Sequence, residues 1–483
     1  MLHDARSLRR DTVLEADLCV IGAGAAGITL ARSFSGSPFR VVLLESGGLE
    51  PDPDTQDLYR GRIYGRNYFQ LDVCRTRQFG GSTNCWHGMC RPLDPIDFEA
   101  RDWVPHSGWP FGLETLEAYY ERAQQVLRLE RFDYAGASWA NEGLPVLPLV
   151  GDGIRSGIFQ VAPNRLGEIY RGEVERAPNV DTYLFANLVG FDAGSSSIAR
   201  ARIACLDGNR FSVKARHFVL ATGGIENARL LLVTGLGNQH DLVGRYFMEH
   251  PHVLAGAFLP SQAALPLGFY RPHQEGRIQL AGYLATTDAV RRADQLLGWC
   301  GFLAQEAPLP ELEQHLAALV QEMDQPREGS AGRAVFFMNE LEQAPNPASR
   351  VKLSDNKDAL GMPRAQLEWR LSSIDKRSAR RTQRVLARAL GAAGLGRLQI
   401  TLSDDERRWP AEMSGGRHHM GTTRMHRDPK QGVVDPDGRV HGLANLYVAG
   451  SSVFPTVGAA NPTLTLVALA LRLADHLLEQ LKA

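Results

Sequence analysis

The first strongly patterned stretch is Asp17 to Gly22 (DLCVIG), a short apolar run of the kind a strand buried on both faces requires. GAGAAG follows at once, then ITLARSF with the spacing of a helix, and then a second apolar run, RVVLLES, that ends in Glu45-Ser46. Much later, SRVKLS and AQLEWRL nearly alternate on either side of DNKDALGMP, which predicts two paired strands across a loop in a roofing sheet. LPELEQHLAALVQEMDQ (Leu309 to Gln325) has helical spacing and is expected to pack on that sheet. TLTLVALALRLADHLL predicts a buried helix with Asn461 as its cap and Pro462 as its first residue. Such a helix start aims free N–H groups and a positive dipole end at nearby negative charge. PDPDTQDLYRGRIYGRNYF reads as a surface loop, with Asp52, Asp54 and Asp57 lacking metal-ligand spacing and Tyr59, Tyr64, Tyr68 and Phe69 available to cover an entrance. DKRSARRTQR (Asp375 to Arg384) reads as one solvated helix face.

Length and charge narrow the possibilities. A chain of 483 residues exceeds the size at which one core stops growing, so two domains or one large elaborated domain are expected. A formal net charge of -1 provides no field to gather polyanions, which argues against a nucleic-acid partner. Six cysteines, at 19, 74, 85, 90, 205 and 300, form neither a CxxC pair nor a CxxCH haem site, so neither a disulfide framework nor bound haem is expected. Arg9-Arg10 is followed by no apolar export segment, and no apolar run reaches the ~18 residues that span a bilayer, so a cytoplasmic protein is expected.

Candidate chemistry begins at the glycines. Gly22 makes a tight turn, Gly24 lets backbone approach a pyrophosphate, and Gly27 lets helix pack on strand, while Glu45 ends the second strand where an acid accepts hydrogen bonds from a ribose. Strand, glycines, helix, second strand and acid in that order predict a dinucleotide site, with the phosphates at the helix N-terminus. FAD and NAD both fit these residues; the run Glu45-Ser46-Gly47-Gly48 leans towards FAD. At the far end stands GGRHHMGTTRM, Gly415 to Met425, with adjacent histidines at 418 and 419. Adjacent histidines can bind a metal, share one catalytic proton or simply pack. Neither an HExxH nor a cysteine cluster completes a metal site around them, and no metal is expected.

RQFGGSTNCWHG (Arg77 to Gly88), FVLATGGIENARLLL (Phe218 to Leu232) and NLYVAGSSVFPTVGAANPTLT (Asn445 to Thr465) resemble the flavin-contact segments of the glucose-methanol-choline oxidoreductases. HHMGTTRM, ANPTLT and QAPNPASRVKLSDNKDALGMPRAQLEW most resemble that family's sugar-oxidising branch, which includes pyranose oxidases, fructose dehydrogenases and glycoside dehydrogenases. The resemblance implies an α/β fold: a Rossmann-like FAD-binding domain from about 1–110, 160–255 and 408–483, with a substrate domain on a mostly antiparallel sheet from 111–159 and 256–407. It implies His418 as the catalytic base, Asn461 as its partner, and His419 as a pocket or packing residue. It places cofactor contacts at Gly22, Gly24, Ala25, Gly27, Glu45, Ser46, Gly80, Gly81, Asn84, Cys85, Val189, Ala221, Gly450, Ser451 and Thr463.

Cys85 stands where some relatives carry a histidine joined covalently to the flavin; a small residue packed beside the ring, with FAD held non-covalently, is the expectation. Gly450 replaces an acid found in many members, as it does in the sugar-oxidising branch. His250 in FMEHPHV resembles a family motif near the flavin, and a structural role at a Pro-bounded turn fits it equally. The activity implied is oxidation of a CH–OH group, on a sugar, glycoside or related polyol, to a carbonyl. A natural-product or aminoglycoside alcohol and a non-redox lyase of the same fold are the alternatives. Oxygen, a quinone and a protein partner all remain open as the electron acceptor.

The chemistry suits these residues. Removing hydride from an alcohol carbon without removing the hydroxyl proton would leave a high-energy protonated carbonyl, so a base is needed. Histidine accepts a proton near neutrality, an effect typically worth ~10²- to 10⁴-fold. An asparagine amide orients the same oxygen without competing for the proton.

Overall fold

The computed structural model describes residues 1–163, 165–262, 265–303 and 335–483. Strand Val13–Ile21 lies in parallel between Val41–Leu44 and Arg210–Leu220. Val41–Leu44 is followed outward by Val180–Leu184 and the edge strand Leu2–Asp4, all parallel. On the other side, Leu446–Val448 also pairs in parallel with Arg210–Leu220, and the antiparallel strands Ile198–Ala204 and Asn187–Ala193 complete an eight-stranded sheet. Leu18, Cys19, Val20 and all of Val41–Leu44 are buried, as unbroken apolar strands in a covered parallel sheet must be. Helix Ala25–Ser33 packs against both Leu166–Arg176 and Thr463–Lys482, and Glu117–Val126 packs on the last of these. The first, middle and final parts of the chain thus share one sheet.

A second, nine-stranded sheet is built mostly of antiparallel pairs: Gly396–Ile400, Pro251–Pro260, Val335–Leu341, Trp299–Leu303, Ile278–Thr286, Ile154–Val161 and Met89–Cys90 in order, with His273–Glu275 and Ser414–Gly415 attached. Strands Ile154–Val161 and Pro251–Pro260, through which the expected domain boundaries at 160 and 255 run, belong whole to this sheet.

The two strands expected around DNKDALGMP are present as Arg350–Lys357 and Pro363–Trp369, antiparallel to one another. They do not join the large sheet. Pro363–Trp369 pairs instead with Arg62–Gly65, giving a separate three-stranded sheet, because Arg62–Gly65 offers it a parallel edge. The helix expected at Leu309 to Gln325 lies outside the described residues.

Three local expectations are refined. The stretch read as a surface loop at 51–69 contains the strand Arg62–Gly65 and a short helix, Pro53–Asp57, whose first turn is secured by Asp52 accepting the Thr55 N–H at 2.8 Å. The C-terminal helix starts at Thr463, and Asn461 makes no capping bond to it. The basic segment lies on helix Ser373–Ala392, with Arg377, Arg381 and Arg384 exposed and Ile374, Leu386 and Leu390 buried. Among the described residues, no helix is long and apolar enough to cross a membrane.

Candidate active site

The glycine turn is shaped by close backbone approach. A Cβ on Gly22, which has φ +104°, would sit 2.6 Å from the Ala221 carbonyl oxygen, and one on Gly27 would sit 1.8 Å from the Gly22 carbonyl oxygen. Gly81 comes so near that its Cβ would lie 2.8 Å from the Gly24 Cα. Helix Ala25–Ser33 begins without a side-chain cap, so its first N–H groups are left for a ligand. Glu45 is buried and accepts N–H groups from Ala23 (2.9 Å) and Gly47 (2.8 Å). Burial pushes its carboxyl pKa up, against the pull of those two hydrogen bonds.

From this turn a cavity of about 700 Å³ runs to the histidine segment. Gly22, Gly24, Ala25, Glu45, Ser46, Gly81, Cys85, Ala221, Gly450, Ser451 and Thr463 line it, together with His418, His419 and Asn461. Gly27, Gly80, Asn84 and Val189 do not line it. Gly27 acts through packing, and the Asn84 side chain is spent on the Phe79 carbonyl at 3.0 Å. Cys85 is exposed, with its thiol donating to the Ser82 carbonyl at 3.5 Å.

The histidine segment is held by a carboxylate that sequence reasoning missed. Buried Glu249 accepts the backbone N–H groups of His250 (2.8 Å), Gly416 (2.9 Å) and His418 (2.8 Å), and also the Tyr68 hydroxyl. Arg417, between two of these donors, adopts left-handed backbone at φ 62°. With the Tyr68 proton committed to Glu249, His419 Nε2–H donates to the Tyr68 oxygen at 2.9 Å. That nitrogen is therefore occupied. Burial, reinforced by Arg75 and Arg417, depresses the His419 pKa to about 3. Of the four aromatics expected at an entrance, Phe69 and Tyr59 line the cavity, Tyr59 beneath the guanidinium groups of Arg75 and Arg77; Tyr68 braces the loop, and Tyr64 is exposed.

His418 turns the other way. Its Nδ1 lies 2.9 Å from His250 Nδ1, and His250 Nδ1 lies 3.0 Å from Glu340 Oε1, while His252 Nε2 is 3.3 Å from Glu340 Oε2. His250, Glu340 and His418 thus place ligand-type atoms within 4.8 Å of one another, a set drawn from three distant segments. Burial holds the His418 pKa well below the ordinary imidazole value, with Glu340 opposing it. With Nδ1 facing His250, Nε2 is the ring nitrogen left to meet a substrate. Asn461 contributes a buried side-chain oxygen, Oδ1, with no partner among the described residues.

Residues 345–470 match the model of the GMC oxidoreductase family. Those residues form a GMC oxidoreductase C-terminal domain. Paromamine 6'-oxidase of Streptomyces fradiae is 25% identical over 524 aligned positions, covering 95% of this chain and 90% of that protein. C-glycoside 3-oxidase of Arthrobacter globiformis is 27% identical over 466 positions, covering 91% and 81%. The fructose dehydrogenase large subunit of Gluconobacter japonicus is 29% identical over 280 positions, which take in 56% of this chain and 48% of that one. In fold, the chain is similar to pyridoxine 4-oxidase from Mesorbium loti, with a TM-score of 0.58 at 19% identity, covering 95% and 98% of the two chains. Formate oxidase gives a TM-score of 0.61 at 16% identity, covering 98% and 99%. The chain is an FAD-dependent oxidoreductase. The glycine cradle that admits no Cβ, the uncapped helix start and the unpartnered Asn461 oxygen all fit that cofactor.

Proposed function

We propose that the enzyme oxidises a secondary alcohol of a sugar, glycoside or related polyol to a carbonyl. The observation that carries this reading is that His418 and Asn461 line the same cavity as the glycine turn. His418 Nε2 takes the hydroxyl proton as the C–H bond gives up its hydride. The Asn461 amide holds the same oxygen in line for that transfer. FAD supplies the hydride acceptor. His419, tied to Tyr68, serves as packing in the pocket wall.

The substrate class rests on the relatives, whose names describe oxidation of an aminoglycoside, a C-glycoside and fructose. The cofactor is held non-covalently, through Gly22, Gly24, Ala25, Glu45, Ser46, Gly81, Cys85, Ala221, Gly450, Ser451 and Thr463, which line the cavity, with Gly27 packing the turn behind them. Two domains, 1–110 with 160–255 and 408–483, and 111–159 with 256–407, divide cofactor and substrate between them, with the boundaries at 160 and 255 shifted so that strands Ile154–Val161 and Pro251–Pro260 stay whole in the second. Six free cysteines suit a reducing compartment, here the cytoplasm.

The test is anaerobic: the yellow protein is mixed with sugars, glycosides, aminoglycosides and simple alcohols while flavin absorbance is followed. Bleaching by a sugar or glycoside is expected. A flavin that dithionite reduces and no alcohol bleaches would overturn the reading in favour of non-redox chemistry. Admitting air after bleaching shows whether oxygen is the acceptor.

A further inference from the structure

The contact between His418 and His250 poses a question of proton count. Two imidazole Nδ1 atoms stand 2.9 Å apart, and a carboxylate oxygen of Glu340 stands 3.0 Å from one of them. Each of these atoms is an acceptor when deprotonated, so their convergence requires at least one proton shared among them. His250 and Glu340 are both buried, and among the described residues no other group hydrogen-bonds to Glu340 Oε1 or His250 Nε2. Buried charge without compensation is costly, so a carboxylate here must answer a cation.

We propose that Glu340 and His250 are positioning residues that carry the counter-charge of the catalytic proton. This rests on His418 being the base. As the substrate O–H bond breaks, its proton bonds to His418 Nε2 and the hydride leaves with its electron pair to FAD. The imidazolium so formed shares its Nδ1 proton with His250, and Glu340 neutralises the pair. One proton enters, and the negative charge of Glu340 is already in place to offset it. Without Glu340 the same transfer would leave an uncompensated cation in the protein interior.

The direction of the electrostatics agrees. Glu340 opposes the burial that depresses the His418 pKa, and the two histidines hold the Glu340 carboxyl well below the usual carboxylate range despite its own burial. The groups facing His418 are Glu340 on strand Val335–Leu341, His250 with Glu249 and His252 on or beside strand Pro251–Pro260, and Arg417 and His419 on its own loop. Of these, Glu340 opposes the depression of its pKa, and Glu249 is spent on backbone N–H groups.

The test compares wild type, Glu340→Gln and Glu340→Asp as FAD-loaded proteins. The rate of anaerobic flavin reduction by alcohol is measured across pH, and [15N]histidine spectra are titrated in parallel. His418 must be neutral to accept a proton, so activity rises with pH through its pKa. Glu340→Gln should lower the plateau by about 10- to 100-fold, part of the ~10²- to 10⁴-fold available to a general base. It should also move the acid limb, and the pH at which the His418 nitrogens protonate, to lower pH. Glu340→Asp, which keeps the charge, should restore the acid limb. A variant merely damaged in structure would lose rate at every pH without moving the limb. An unshifted limb and unshifted nitrogens in Glu340→Gln overturn the proposal. So does a stoichiometric first-row metal in the wild-type protein that Glu340→Gln loses, since the three atoms would then be its ligands. If no alcohol reduces the flavin, the spectral titration still reports on the Glu340–His418 coupling, separating failure of this proposal from failure of the alcohol-oxidation reading.

Discussion

Replacing Glu226 by glutamine tests whether the arginine cluster at the cavity wall depends on one buried charge. Glu226 is 3% exposed and meets Arg77 at 2.7 Å, Arg229 at 2.7 Å and Arg75 at 3.5 Å. Arg77 also donates to Asn187 Oδ1 at 3.0 Å, and Arg229 reaches on to Asp358. Burial alone would raise the Glu226 pKa; Arg229, Arg77 and Arg75 outweigh it and hold the carboxyl at about 2, against an ordinary 4.5. At ~1.4 kcal/mol for each pH unit, this charge contributes ~3 kcal/mol to the folded state. Breaking a buried pair by removing one partner typically costs about 3–5 kcal/mol, in agreement. Because the folded-state pKa is depressed, the contribution is present above the unfolded value of 4.5 and lost as pH falls towards 2. Urea unfolding of the two proteins, followed by tryptophan and flavin fluorescence, should show Glu226→Gln less stable by ~3 kcal/mol at pH 7. The gap should hold down to about pH 4.5 and close below it. A difference under ~1 kcal/mol at pH 7, or a gap that acid does not narrow, would refute the reasoning.

Other substitutions separate the roles around the cavity. His418→Ala should retain FAD yet slow flavin reduction by alcohol by about 10²- to 10⁴-fold, while His419→Ala, losing only its bond to Tyr68, should slow it far less; the reverse order would move the base by one residue. Gly27→Ala, whose Cβ would lie 1.8 Å from the Gly22 carbonyl, should give protein that purifies without yellow colour, checked by its absorbance ratio. Cys85→Ser should leave FAD content unchanged, and acid precipitation of the wild type should release all flavin to the supernatant; flavin that stays with the wild-type pellet and leaves that of Cys85→Ser would show a covalent link at this thiol.

What the sequence discloses is what short-range chemistry dictates. The nucleotide-binding turn was legible because Gly22 and Gly27 are each demanded by an approach closer than a Cβ allows, and because the flanking strands are apolar without interruption. The paired strands around DNKDALGMP were legible as a pair, but not as members of a separate sheet, since their third partner, Arg62–Gly65, lies almost three hundred residues earlier and carries no periodic signal. Asn461-Pro462 looked like a helix cap because those residue types usually are one; in the folded chain the side chain is withheld from the helix and turned over to the cavity, which is the arrangement a substrate-orienting amide requires.

The charged framework of the site was illegible for a different reason. Glu249 and Tyr68 are separated by 181 residues, Glu249 and the His418 N–H by 169, and the two imidazoles of His250 and His418 by 168. None of these carboxylates or histidines sits in a motif that announces its partner, and a lone glutamate in an apolar strand such as VFFMNEL gives no sign of where its charge is answered. Burial supplies the sign once the fold is known. A carboxylate that is 2% exposed cannot remain ionised without cations around it, so Glu340 must be read together with His250, His252 and, through His250, His418. The adjacent histidines of the sequence therefore belong to different networks, one neutral and braced by a tyrosine, the other charge-linked through two strands of the second sheet, and it is the second network that places a proton acceptor at the cavity.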